Sequence, residues 1–184
     1  MIAYLLVLAA VLSRMLPLAG GTFHIGWMNF TAVGGVLLFF GARRPVREML
    51  APLALLMASD YCLTTYAYHY SFAWQSYVPT WIWYAAAMLL GRILLHARLS
   101  TVRVAAGALL GPTSFFLVSN FAVWAGGGMY PQTGSGLVAC YVAGLPFYRN
   151  DLISTALLCS LLFGLPALVE RLIPQHKDAV AHGK

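Results

Sequence analysis

The residues predict an all-α integral membrane bundle of six transmembrane helices. Charged side chains make up only 9% of the 184 residues, against roughly 25% in soluble domains. Hydrophobic residues reach 61%, and mean hydropathy is +0.78. Apolar runs of spanning length recur along the chain, separated by short loops of uneven charge. One compact bundle is expected at this length, a single domain over 1–172 followed by a polar tail, 173–184.

A spanning helix needs about 20 largely apolar residues, fewer when it is tilted or buried in protein. Six stretches qualify: 2–19, 29–43, 48–67, 78–97, 103–124 and 151–171. No basic stretch or small-residue cleavage site marks the first run, so it reads as a retained helix and not a cleaved leader. The second is short and rich in glycine (Gly34, Gly35, Gly41), which suits close packing inside a bundle. Gly107 and Gly111 form a GxxxG in the fifth span, followed by Pro112, where a kink is expected. Ala9 and Ser13 make a weaker small-residue face on the first, open to internal packing or to docking of another membrane subunit. Cys62, Cys140 and Cys159 share no metal or redox spacing and read as free buried thiols.

A formal net charge of +6 would suggest nucleic acid in a soluble chain. Here the basic residues gather in alternate short loops. Arg43, Arg44 and Arg47 lie between spans two and three; Arg92, His96, Arg98 and Arg103 surround the next such turn; Arg171, Lys177 and Lys184 lie at the tail. The other connections hold only His24, His69 and Arg149. The positive-inside bias then places both termini in the cytoplasm of a bacterial inner membrane, with the lipid bilayer and not nucleic acid as the partner.

The outer connections are unusual. Between spans three and four the chain reads YAYHYSFAWQSYVPTWIWY, either an interfacial aromatic belt or the rings of a ligand pocket. The last connection, GGGMYPQTGSGLVACYVAGLPFYRN, has a middle (Leu137 to Leu145) too apolar for free solvent and too short to span. A re-entrant or interfacial helix over the outer mouth is expected there, hinged at Gly126, Gly127 and Gly128 and at Pro146.

Polar residues sort by depth. At 1.5 Å per residue, Arg14 and Asp60 each lie about 18–20 Å from the cytoplasmic ends of their spans. A charge at that depth costs a few kcal/mol or more and needs a partner, water or a function. Arg14 is the natural partner of Asp60. Asn29 and Thr31 open span two from the outer side, Asn150 and Asp151 open span six, and Asn120 lies near the outer end of span five. The inner half offers almost nothing polar, which predicts a cavity open outward and closed inward. Each member has a plainer reading. Arg14 and Asp60 can be a structural ion pair, Asn120 an interhelical hydrogen bond, and Asn150 and Asp151 helix N-caps. The candidate ligand-binding set is Arg14, Asn29, Asp60, Asn120 and Asn150, with Trp74, Tyr77 and Tyr130 as stacking walls. No nucleotide loop, nucleophile elbow, zinc motif or paired-cysteine motif is visible, and His24 and His69 both lie in loops. No catalytic group, metal or cofactor is expected, and the chain reads as a non-enzyme.

The stretches NFTAVGGVLLFFGA and APLALLMASDY resemble the early helices of the substrate-binding S components of energy-coupling factor transporters. SNFAVWAGGGMYPQTGSGLVACYVAGLPFYRN is similar to a related family of uncharacterised bacterial membrane proteins. The resemblance implies uptake of a small vitamin-like solute from the outer face. It also implies a transmembrane coupling subunit and cytoplasmic ATPases as partners. The chain departs from the S-component pattern on its first span, where only Ala9 and Ser13 approach the alanine-xxx-alanine docking face. Two other functions stay open: a non-catalytic structural or assembly subunit of a larger membrane complex, and a proton- or ion-coupled carrier using Asp60.

Overall fold

The computed structural model describes residues 1–15 and 31–172, with side chains through Val169. Among the described residues every regular element is helical. The order is α1 (Ile2–Arg14), α2 (Val33–Arg43), α3 (Leu50–Cys62), α4 (Trp74–Leu95), α5 (Thr101–Ala125), α6 (Gly134–Cys159) and α7 (Leu165–Leu172). A 3-10 turn, Val46–Glu48, precedes α3, and π turns follow α3 (Leu63–Ala67) and α6 (Ser160–Gly164). Trp74–Leu95, Thr101–Ala125 and the continuous Gly134–Val169 are long and apolar enough to cross a membrane; Ile2–Arg14 and Val33–Arg43 are shorter apolar helices. The set is compatible with a membrane helical bundle. Its outward side chains agree, since Ile2, Ile82, Ile93, Leu109 and Leu157 are all exposed, a surface that water would punish.

At the centre lies α2, buried at every position from Val33 to Ala42. A helix apolar all round belongs in a core, and α2 packs against α1, α4, α5 and α6. Its glycines make this possible. A methyl at Gly41 would lie 1.8 Å from the Met88 carbonyl oxygen, and one at Gly91 would lie 2.1 Å from that of Leu38. The α2 and α4 backbones are therefore in direct contact, so each glycine admits the other helix. On the opposite side, methyls at Gly34 and Gly35 would collide with Thr155 Oγ1 at 2.6 Å and Leu158 Cβ at 2.7 Å on α6. Gly107 and Gly111 are different, because methyls there would meet only the side-chain ends of Leu38 and Leu94, at 3.7–3.9 Å. The tightest approach thus uses the glycines of α2 and α4, not the GxxxG of α5.

Polar groups close the helix ends. Ser100 Oγ accepts from Arg103 N at 3.3 Å, and Thr133 Oγ1 from Gly136 N at 3.2 Å, caps that satisfy otherwise orphaned amides. At the end of α2, Arg92 donates to the Arg44 carbonyl and His96 Nδ1 lies 3.0 Å from that of Ala42. Glu48 joins the Tyr4 hydroxyl at 2.6 Å and Arg44, tying α1 to the α2–α3 connection.

Two expectations need correction. Leu137 to Leu145 is no separate re-entrant or interfacial helix, because α6 runs unbroken from Gly134 through Cys159. Pro146 sits inside it, where its missing amide is tolerated, and does not act as a hinge. Asn150 and Asp151 are accordingly not N-caps. They lie mid-helix and are buried. The chain reverses earlier, at Gly126–Thr133, where Gly127 takes φ +72 and Gln132 Nε2 donates to the Ala125 carbonyl at 2.8 Å.

Gly41→Ala and Gly91→Ala should each destabilise the bundle by about 1–3 kcal/mol or more, the range of overpacked cores. Gly164, with nothing within 4 Å of a built methyl, is the control. Thermal unfolding in detergent should separate the two classes, and equal melting of Gly41→Ala and Gly164→Ala would contradict the backbone contact.

Candidate functional site

Among the described residues, polar side chains gather in two places inside the bundle. The first joins α1, α3 and α4. Arg14, at the last turn of α1, pairs with Asp60 of α3 at 2.5 Å, with side chains 16% and 3% exposed. Its other terminal nitrogen donates to Ser59 Oγ at 3.0 Å and to the Tyr84 hydroxyl at 3.1 Å. Trp81 Nε1 donates to the second carboxylate oxygen of Asp60 at 3.0 Å, and the Tyr84 hydroxyl to the first at 3.4 Å. Three donors from two helices thus satisfy the carboxylate, as a buried charge requires. One turn further on, Thr64 Oγ1 donates to the Asp60 carbonyl and lies within hydrogen-bond distance of the Tyr77 hydroxyl. Tyr77 packs against Phe72 and Trp81 in a triangle of rings, with centroids 5.1 and 6.0 Å away and the other two 6.3 Å apart. Among the described residues this cluster is closed on itself.

The second place is a half-open cleft of about 230 Å³ between α5 and α6. Phe115, Phe116, Phe147 and Tyr148 supply its rings. Phe116 stacks on Tyr148 at 4.8 Å, and the Tyr148 hydroxyl reaches Thr113 Oγ1 at 3.0 Å. Its polar wall is Ser119, Asn120 and Asp151. Asn120 Nδ2 donates to the Phe116 carbonyl at 2.8 Å. Gly144 makes room for its amide, since a methyl there would lie 2.5 Å from Asn120 Oδ1. Asp151 is 6% exposed and accepts from Thr155 Oγ1 at 3.4 Å. Gly34 faces this pair, with a built methyl 2.6 Å from Thr155 Oγ1 and 3.6 Å from Asp151 Oδ1. Among the described residues no basic side chain pairs with Asp151; the ion pairs there are Arg14–Asp60 and Arg44–Glu48.

The residues picked out by sequence therefore fall apart into groups. Arg14, Asp60 and Tyr77 share the closed cluster, and Asn120 lines the cleft. Asn150 is buried on α6 beside Asp151. Trp74 is 56% exposed at the start of α4, and Tyr130 lies in the turn before α6. Asn29 and the 20–28 connection lie outside the described residues. Missed by the sequence reading were Ser59, Trp81 and Tyr84 as partners of the ion pair, and Asp151 as a cleft residue. A signal for two of them existed: Trp81 and Tyr84 stand three apart in WIWY, hence on one helical face. The cysteines are free, with Cys140 and Cys159 buried and Cys62 half-buried. Among the described residues no cluster of three His, Cys, Asp or Glu could hold a metal ion.

Residues 1–176 match the model of a family of unknown function (DUF6580). The chain belongs to that family. No curated protein and no solved structure matches it. The match spans both polar centres, so the closed cluster and the cleft both lie within the family's extent.

Removing Arg14 leaves a buried carboxylate without its cation, a loss of about 3–5 kcal/mol for pairs of this kind. Arg14→Ala and Asp60→Ala should each reduce stability on that scale, whereas Arg14→Met with Asp60→Leu should be less destabilising than either single change. Denaturant unfolding in detergent of the three variants checks the cycle. Additive losses would show that the two side chains do not interact.

Proposed function

We propose that this chain is a six-span inner-membrane protein with both termini cytoplasmic, which binds a small organic solute from the outer face. The observation that carries the reading is the half-open cleft between α5 and α6, with rings on its walls and Asn120 and Asp151 at its polar side. Ligand sites have this character: mostly apolar and aromatic walls with a few placed polar groups. Its volume, about 230 Å³, lies below the roughly 300–1,000 Å³ of drug-sized sites, which points to a solute the size of a vitamin fragment or smaller. In this reading Arg14 and Asp60 hold α1 to α3 and do not touch the solute. Uptake would follow the S-component scheme, with ATPases supplying the energy through a coupling subunit. Ala9 and Ser13 lie on the exposed face of α1, where such a subunit would dock. The chain itself performs no chemistry.

The self-contained Arg14–Asp60 cluster favours a second reading, in which the protein is an assembly subunit without a ligand of its own. Mass spectrometry of small molecules extracted from the purified full chain separates the two. A solute at near one-to-one ratio is expected, and Asn120→Ala should bind it about tenfold more weakly, the value of one well-placed hydrogen bond. Repeated purification without any retained or re-bindable solute favours the assembly subunit instead.

A further inference from the structure

The charge of the cleft narrows what it can hold. Asp151 is a carboxylate 6% exposed in an apolar bundle, and among the described residues its environment contains a hydroxyl but no cation. The contrast with Asp60 is internal to the molecule. There the same group has a guanidinium at 2.5 Å and two further donors. An anionic solute would face repulsion from Asp151 in a low-dielectric wall with nothing to offset it. A bare metal ion would find one carboxylate, one amide and the hydroxyls of Ser119 and Tyr148, short of the six to eight oxygens that hard cations take. The remaining lining is aromatic, and ring faces attract alkylammonium groups, most strongly where water is excluded.

We infer that the cleft takes a small organic monocation, its ammonium set against Asp151 and its apolar part against Phe116, Phe147 and Tyr148. This rests on the solute-binding reading above and names the class of solute. The bound cation would supply Asp151 with the counter-charge that Arg14 gives Asp60. Asn120 and Ser119 would accept from N–H groups where the ammonium carries them.

The probe is benzyltrimethylammonium, titrated by calorimetry into the full chain in phosphatidylglycerol nanodiscs, which contain no amine headgroup. Binding is expected, with neither benzyl alcohol nor benzoate competing. Asp151→Asn, close to isosteric, should weaken it at least about tenfold. Phe147→Leu keeps the carboxylate and should weaken it about two- to fivefold, the scale of one cation–ring contact. Unfolding midpoints of both variants near that of the parent exclude a folding defect. Repeating the titration in phosphatidylethanolamine locates the natural ammonium: competition assigns a lipid headgroup, and unchanged binding assigns a free solute. Equal affinity in Asp151→Asn overturns the inference. Binding of benzyl alcohol or benzoate in the same cleft, sensitive to Asn120→Ala, overturns the cation and leaves the solute-binding reading standing. No binding by any of the three, with no solute in the mass spectra, overturns both.

Discussion

A carboxylate held inside an apolar helical bundle must be compensated by charge, by hydrogen bonds or by a proton. The helices around Asp60 are arranged by that requirement. Arg14 arrives from the end of α1, Trp81 and Tyr84 from one face of α4, and Ser59 from the preceding position of α3. Three helices are thereby held at one level. The gain in net stability from such a pair is small beside the cost of breaking it, so its main effect is to specify which helices meet and in what register.

The glycines of α2 act on the same scale from the other direction. Membrane helices gain little from hydrophobic burial against each other and rely on close packing. Gly41 and Gly91 bring α2 and α4 to backbone contact, while Gly34 and Gly35 admit α6. The second of these contacts also bears on function. It sets the Asp151–Thr155 pair against α2, with Asp151 also in the wall of the cleft that α5 and α6 form. Packing and polarity are therefore coupled in α6: the helix that seals the bundle also carries its second buried carboxylate.

Much of this was legible in the sequence. The matched depth of Arg14 and Asp60 predicted their pairing, the composition predicted the helices, and the glycine-rich second span predicted a buried helix. The site was less legible, for physical reasons that differ by residue. Asn150 and Asp151 before an apolar run look like a helix start, and Pro146 looks like a stop. In the folded chain α6 continues through all three, with Asn150 and Asp151 buried inside the bundle and Pro146 on its exposed side. Depth alone also merged two centres into one. Asp60 and Asn120 each lie toward the same end of their helices, yet Asp60 faces α1 and α4, whereas Asn120 faces Gly144 of α6. Helical phase, which separates them, shows only weakly in helices apolar on nearly every face.

Among the described residues, Asp60 and Asp151 are thus the same group in two states of compensation, one with a cation and two further donors, the other with a hydroxyl alone. A high-resolution electron cryomicroscopy map of the full chain in lipid, purified without exchange of its native solute, tests this most directly. Non-protein density in the α5–α6 cleft within hydrogen-bonding reach of Asp151, with none beside Asp60, is the expected result. A basic side chain of the protein seated on Asp151, or a cleft packed shut by the chain itself, would contradict it.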